Sequence, residues 1–271
     1  MMAPATEQAS IRHIVVTLDA SEPGRSALET AVRLAAILGA ELEGIFVEDI
    51  NLIRLAGLPF LREVRPWSLG EETISTQRMQ RELRTLARHA ERMLEQAARE
   101  MGVPWSFQVW RGRAGAETLA QTFGADILSL GRVSALASSR MWATTRSRTR
   151  QSRETTASIN VLFSDSEQAV RALTTACNLA KDPGAGVTVL IPENQTEDAP
   201  GLKEKALSIL DFHGQVARFV QLSGTGVQSL VQAAGASGVR ILIAEAEHPL
   251  LAQAGLDQCL EALCCPVLLV R

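Results

Sequence analysis

The chain has 271 residues, of which 46% are hydrophobic and 21% charged, and it carries a formal net charge of −3. No apolar stretch approaches the roughly 20 residues that a membrane-spanning helix needs, and the first residues lack the basic end and apolar core of a signal peptide. We therefore expect neither a membrane span nor a leader. The length predicts about two domains, each large enough to bury its own core.

Short apolar strands alternate with amphipathic helices in the first half of the chain. We predict strands at His13–Leu18, Leu42–Val47, Trp105–Trp110 and Asp126–Leu130, and helices at Glu22–Leu38, Glu71–Met101 and Ala116–Phe123. The segment Ile50–Gly70 breaks this pattern. Its apolar part, Leu52–Phe60, could pack over a sheet edge, contact another subunit or domain, or cover a ligand.

The second half repeats the alternation in fewer residues. We predict strands at Asn160–Phe163, Val187–Ile191, Val216–Leu222, Arg240–Ala244 and Pro266–Val270, and helices at Glu167–Ala180, Gly201–Phe212, Val227–Ala234 and Leu250–Leu263. Strands that alternate with helices of this length indicate βαβ units and a parallel sheet that is covered on both faces.

The start of the chain is repeated about 145 residues later. Each copy, Ile11–Glu22 and Ile159–Glu167, is a short strand that ends in an acidic-serine turn and leads into a helix. The period exceeds that of solenoid repeats, so the duplicated unit is a whole domain. Because the first half has no separate closing strand, we assign Ile159–Phe163 to the second unit and expect the first sheet to be one strand short.

The two halves differ in charge. Residues 1–156 carry 20 Arg and 18 Asp or Glu, which gives +2, whereas residues 157–271 carry 7 Lys or Arg and 12 Asp or Glu, which gives −5. Any anion site is therefore expected in the first half. The four cysteines, Cys177, Cys259, Cys264 and Cys265, lack metal-ligand spacing. We interpret them as buried structural thiols in a reducing compartment, most simply the cytoplasm.

Three motifs, taken in order, resemble the universal stress protein family in a tandem two-domain form. They are Val15–Ser21 with the helix start Ser26-Ala27-Leu28, the second strand Leu42–Glu48, and the ending Cys265–Arg271. The resemblance covers most of the chain except Ile50–Gly70 and Arg132–Ala157. It implies an α/β fold of two tandem, doubly wound, open parallel sheets, Rossmann-like and of the adenine nucleotide alpha hydrolase type. The domains would span residues 1–158 and a smaller 159–271.

ATP-binding members of that family carry a loop of pattern G-x2-G-x9-G-[S/T] after the fourth strand. Glycines in such a loop let backbone N–H groups approach phosphates. Here the loop reads Gly131, Ser134, Thr144 and Thr145, so the spacing survives but only the first glycine remains. The resemblance therefore implies weak or absent ATP binding in the first domain, around Asp19, Val47, Gly131, Ser134, Thr144 and Thr145.

The corresponding loop of the second half begins with acids. Glu245, Glu247 and His248 follow the predicted strand Arg240–Ala244, and carboxylates beside a phosphate cradle repel it. We expect no nucleotide there. The family also places Asp19 near adenosine; for Asp19 and Asp165, an acid at the end of a strand, complementing a helix dipole is an equal alternative.

Six arginines lie in the segment 132–153, with no acid between Ile127 and Arg153. A solvated linker, a phosphate clamp and a nucleic-acid contact are the three interpretations. Only Trp142 interrupts the run, so it offers no set of stacking platforms, and we expect nucleic acid not to be a partner.

No catalytic or metal constellation is evident. His13, His89, His213 and His248 lack a paired nucleophile at informative spacing, and there is no G-x-S-x-G, Walker A or H-E-x-x-H sequence. We therefore expect a non-enzymatic stress-response or regulatory binding protein. The alternative is a slow ATPase in the first domain. A homodimer, an intramolecular pseudo-dimer and an unknown protein partner all stay open.

Overall fold

The computed structural model describes residues 11–18, 22–58, 62–64, 71–73, 76–112, 115–131, 157–181, 185–192, 199–224, 226–237, 239–263 and 265–271. Its strands are β1 (His13–Leu18), β2 (Glu41–Asp49), β3 (Arg62–Val64), β4 (Glu71–Thr73), β5 (Trp105–Gly112), β6 (Ile127–Leu130), β7 (Ala157–Leu162), β8 (Ala185–Pro192), β9 (Ala217–Leu222), β10 (Val239–Glu245) and β11 (Val267–Val270). Its helices are α1 (Glu22–Leu38), α2 (Ile50–Leu55), α3 (Thr76–Met101), α4 (Ala116–Thr122), α5 (Glu167–Leu179), α6 (Ala199–Phe212), α7 (Val227–Ser237), α8 (Pro249–Ala254) and α9 (Leu256–Leu263).

Nine strands form one sheet in the order β5-β2-β1-β6-β11-β10-β7-β8-β9. All neighbours pair in parallel except β6 and β11, which pair antiparallel from Val267 opposite Leu130 to Val270 opposite Ile127. The predicted α/β class with parallel strands is confirmed. The two parallel halves are not separate sheets, however, because the antiparallel junction joins them into one.

Strand β7 lies between β10 and β8, two strands of the C-terminal half. It starts at Ala157, so the segment Ile159–Phe163 opens the second parallel half, as the acidic-serine turn after it predicts. Among the described residues the N-terminal half contributes four strands to the sheet, and β11 pairs with the side of β6 on which a fifth strand would lie.

Helices cover both faces of the sheet and bury one apolar cluster each. On one face α1, α3, α5 and α6 pack over residues that include Leu94, Phe163 and Leu173. On the other face α4, α7, α8 and α9 pack over residues that include Leu119 and Leu260. Both clusters contain residues from both halves, so the apolar core crosses the junction.

Two local predictions are wrong. The predicted helix Glu71–Met101 begins only at Thr76, and its first residues form β4, which pairs antiparallel with β3. The sequence from residue 73 to residue 76 consists of β-branched and hydroxyl residues, which have low helix propensity. The predicted helix Leu250–Leu263 is two helices, because Gly255 has a φ of 78° and ends α8.

The segment Leu52–Phe60 is described in part. It forms most of α2, which packs against α3, and Ala56 is buried. Leu55 and Leu58 are 41% and 39% exposed, so these two side chains do not fill the core. Leu52 as a side chain, Pro59 and Phe60 lie outside the described residues.

Three of the four cysteines are described, and all three are buried. Burial raises the pKa of the Cys177 and Cys259 thiols to about 11, because the low-polarity surroundings disfavour the thiolate. The predicted burial is confirmed for Cys177, Cys259 and Cys265, while Cys264 lies outside the described residues.

Candidate functional site

Each half of the sheet contains a point where the strand order reverses. In the N-terminal half the chain runs from β1 outward to β2 and β5 and returns to place β6 on the other side of β1. In the C-terminal half it runs from β7 outward to β8 and β9 and returns to place β10 beside β7. In open α/β sheets ligands bind in the crevice at the carboxyl ends of the strands at such points. We call these the first crevice, between β1 and β6, and the second crevice, between β7 and β10.

The first crevice brings two predicted site residues to the same edge of the sheet. Strand β1 ends at Leu18, which pairs with Phe46, so Val47 follows on the neighbouring strand β2. On the other side of β1, the buried Gly131 follows β6. Since adjacent strands lie about 4.8 Å apart, Val47 and Gly131 are separated by two such spacings, on the order of 10 Å. Asp19, Ser134, Thr144 and Thr145 lie outside the described residues and stay predictions.

The outer rim of this edge carries an ion pair that the sequence analysis missed. Glu48 lies directly opposite Arg111 across β2 and β5, and the Arg111 Nε and Nη2 atoms donate to Glu48 Oε2 at 3.0 and 2.8 Å. Glu48 is only 6% exposed, whereas the Arg111 side chain is 58% exposed. The register of the two strands would have revealed the pair, but register is not visible in the separate strand sequences.

The second crevice is filled by the side chain of Glu245. Ser164, just after β7, donates its hydroxyl to Glu245 Oε1 at 2.7 Å, and Ser166 donates to Glu245 Oε2. Ser166 also accepts from Ala169 N at 2.9 Å and so caps the N-terminus of α5. Glu245 and Ser164 are 7% and 4% exposed. A carboxylate of the chain itself therefore occupies the crevice and bridges the ends of β7 and β10.

The acid Asp165, counterpart of Asp19, points away from this network. Its carboxylate pairs with Lys205 of α6, with 2.5 Å between Nζ and Oδ1. The Asp165 side chain is 71% exposed, so this is a surface pair of small energetic value. In the second half the serines on either side of the acid, and not the acid, line the crevice.

His248 is buried next to the second crevice and caps α8. Its Nδ1 accepts from Leu250 N at 3.1 Å, which places the proton on Nε2, and Nε2 has no hydrogen-bond partner among the described residues. Burial lowers the pKa of His248, and the charge of Glu245 opposes this shift in part. His248 therefore acts as a helix cap in this structure.

Acidification is expected to destabilise the protein through His248. In the unfolded chain the imidazole takes up a proton near its ordinary pKa of about 6.5, whereas the folded state resists protonation, so stability falls as the pH drops below about 6.5. The slope for one group is at most about 1.4 kcal/mol per pH unit. His248→Asn keeps a capping acceptor but cannot titrate, and urea unfolding at pH 7.5 and pH 5.0 should lose part of its pH dependence in this variant. His89→Asn, at an exposed position, is the control. If the pH dependence of stability is unchanged in His248→Asn, protonation of His248 is not its cause.

The C-terminal half holds both ends of α4, a helix of the N-terminal half. At its start, Asp257 of α9 accepts from Ala116 N at 2.7 Å. At its end, the Arg271 guanidinium donates to the carbonyls of Ala120 and Phe123, the latter at 2.8 Å. A cavity of about 600 Å³ lies here, lined by Ala120, Gln121, Ala246, Glu247, Leu251, Ala252, Leu256 and Arg271. These contacts span 141 to 151 residues and could not be anticipated from local sequence.

Among the helices of the described residues, none combines the length and apolar composition that a bilayer crossing requires.

No known family of protein sequences matches the chain, and no curated protein is significantly similar to it in sequence. Its structure is similar to that of a universal stress protein from Archaeoglobus fulgidus, with 11% identity, 96% of each chain covered and a TM-score of 0.54. A functionally unknown protein from Pseudomonas aeruginosa matches 97% of this chain and 93% of its own, with 12% identity and a TM-score of 0.45. A member of the universal stress protein family from Burkholderia pseudomallei matches 45% and 83%, with 22% identity and a TM-score of 0.31. The first of these comparisons shows that the chain has the universal stress protein fold along nearly its whole length.

Proposed function

We propose that the protein is a universal-stress-type regulatory or binding protein without catalytic activity, in which any ATP binding is weak and confined to the first crevice. The observation that carries this proposal is the contrast between the two crevices. The second is occupied by Glu245, whereas at the first Val47 and Gly131 flank the end of β1.

Electrostatics explain why a nucleotide would not enter the second crevice. The Glu245 carboxylate accepts hydrogen bonds from the hydroxyls of Ser164 and Ser166. An incoming phosphate would need these same donors. Phosphate and carboxylate also repel each other strongly where water is excluded. No Lys or Arg of the described residues pairs with Glu245 to offset that repulsion.

The first crevice keeps part of what a phosphate site requires. Gly131 is buried at the end of β6, where the absence of a side chain lets the backbone come close to a ligand. Ser134 and Thr144 stand where ATP-binding relatives have glycine, so fewer backbone N–H groups can approach the phosphates. A binding site weakened in this way suits a protein that senses or carries a ligand at high concentration.

Calorimetry with ATP and magnesium tests the proposal. We expect weak heat or none with the wild-type chain, any binding to be lost in Gly131→Val, and ATP hydrolysis to stay at the background rate. Circular dichroism of Gly131→Val checks that the variant is folded. Sub-micromolar affinity, a nucleotide located at Glu245, or turnover above background would each contradict the proposal.

Glu245→Ala is expected to lower the free energy of unfolding by about 1–3 kcal/mol, because it removes the carboxylate that accepts from the buried Ser164 hydroxyl and from the half-buried Ser166 hydroxyl. Glu247→Ala is the matched control: Glu247 has the same charge two residues further on but is exposed, so its loss should change stability by less than about 0.5 kcal/mol. Urea unfolding followed by circular dichroism measures both. Equal effects of the two substitutions would show that the hydrogen bonds of Glu245 to Ser164 and Ser166 do not stabilise the fold.

A further inference from the structure

Helix α3 carries a row of arginines on its exposed face. Arg81, Arg84, Arg88 and Arg92 are all exposed and follow one another at spacings of three and four residues. At 3.6 residues per turn these positions fall within a sector of about 80° and extend over about 16 Å of the helix. We call these four residues the arginine stripe. The opposite side of the helix packs on the sheet through residues such as Leu83 and Leu94.

The arginine stripe lacks counterions within the part of the chain that the structure describes. The ion pairs of α3 involve other arginines: Arg78 with Glu82 at 3.3 Å and Arg99 with Glu95 at 2.8 Å. Within the stripe, the Arg92 Nε donates to the carbonyl of Arg88 at 3.2 Å, and the Arg81 Nε to that of Gln77 at 3.4 Å. Like charges three and four residues apart on a helix repel each other. Glu95 falls within the sector of the stripe and Glu91 at its edge, and Glu95 pairs with Arg99.

The guanidinium groups of the stripe suit phosphate ligands, and arginine is also the basic residue used throughout the first half of the chain. All 20 basic residues of the first 156 are arginine, and the three lysines of the chain lie in the second half. The planar guanidinium matches two phosphate oxygens at once, which an ammonium cannot do. A row of such groups along a straight helix fits a partner with regularly spaced phosphates.

We propose that the arginine stripe binds the phosphate backbone of a nucleic-acid duplex without reading its sequence. The sector of the arginine stripe holds no aromatic side chain on which an unpaired base could stack, which argues against a single strand. It also holds no exposed apolar side chain to enter a lipid surface, because Met101, which is 48% exposed, lies on the other side of the helix. This proposal differs from the expectation drawn from the sequence, which considered only the arginines of residues 132–153.

The salt dependence of binding tests the stripe. A fluorescent 20-base-pair duplex would be titrated with the full chain at several salt concentrations, and anisotropy would give the binding constant at each. Each phosphate contact contributes about −0.9 to the slope of log K against log salt, so the loss of two contacts in Arg84→Gln/Arg88→Gln should make the slope shallower by about 1.8. The difference between variants is informative even if the arginines of residues 132–153 add contacts of their own.

Two matched variants complete the design. Arg218→Gln/Arg240→Gln removes the same charge from exposed positions of the second half and should leave the slope unchanged. Arg84→Lys/Arg88→Lys should keep most of the slope, since it preserves the charge. The proposal is refuted if the duplex does not bind at low salt, if both Gln double variants change the slope equally, or if anionic vesicles or an acidic peptide bind through the stripe and the duplex does not.

Discussion

Phe163→Ala is expected to lower the free energy of unfolding by about 3–5 kcal/mol. Phe163 is fully buried and lies at the end of β7, where its backbone N–H donates to Leu190 O at 3.0 Å. Truncation would leave a cavity in the apolar cluster that α1, α3, α5 and α6 share. Because small domains are stable by only about 5–15 kcal/mol, this loss is a large part of the total.

The same variant tests whether the two halves unfold together. All four tryptophans of the chain lie in the first half and there is no tyrosine, so tryptophan fluorescence reports on that half while circular dichroism reports on both. Since the core crosses the junction, urea midpoints from the two probes should shift equally in Phe163→Ala. Phe212→Ala, at a position that is 84% exposed, should shift neither. A fluorescence midpoint that stays at the wild-type value would show that the halves unfold independently.

Gly44→Ala is expected to destabilise the protein by about 1–3 kcal/mol through overpacking. Gly44 lies in the middle of β2, and a Cβ atom there would overlap with Leu94 Cδ2 of α3 and approach Leu18 Cδ1 to 2.9 Å. Leu94 is fully buried, so its side chain can make room only by shifting within the packed cluster. Gly124→Ala, where a Cβ meets no atom, should change stability by less than about 0.5 kcal/mol.

A double-mutant cycle tests whether Leu94 is the residue that an added Cβ atom at position 44 overlaps with. If Leu94 causes the overlap, Gly44→Ala should cost less in a Leu94→Ala background than in the wild type, because the shortened side chain makes room. The free energies of unfolding of the four proteins, from urea denaturation, give the coupling directly. A cost that is the same in both backgrounds would mean that another contact is responsible.

The elements of the fold could be predicted wherever a single periodicity extends over a segment. Strand β1 and helix α1 have the predicted bounds, because an apolar run is followed by a turn and then by helical spacing up to Gly39, whose φ is 66°. The errors occur where a short segment of one type directly adjoins a longer segment with helical periodicity, or where one residue interrupts that periodicity. Glu71–Thr73 precedes a strongly helical segment without a break, and Gly255 interrupts a helical pattern that otherwise continues.

Tertiary arrangement was predicted less well than the elements, for a physical reason. The pairing of Glu245 with Ser164 joins residues 81 apart, and the cap that Asp257 gives to α4 joins residues 141 apart. Glu245 and Glu247 look alike in sequence, yet one is buried in the second crevice and the other is exposed. The sequence predicted that an acidic side chain prevents phosphate binding in this crevice. Which acid does so depends on which strand lies beside β7, and that is visible only in the topology.

The antiparallel seam between β6 and β11 restricts how another polypeptide could extend the sheet. Both strands are hydrogen-bonded on each side, so their backbone groups offer nothing to an incoming chain. Within the part of the chain that the structure describes, β5 and β9 are the strands of this sheet that have a neighbour on one side alone. Growth of the sheet by strand addition would therefore start at Trp105–Gly112 or Ala217–Leu222, at the two far ends of the molecule, and never at its centre.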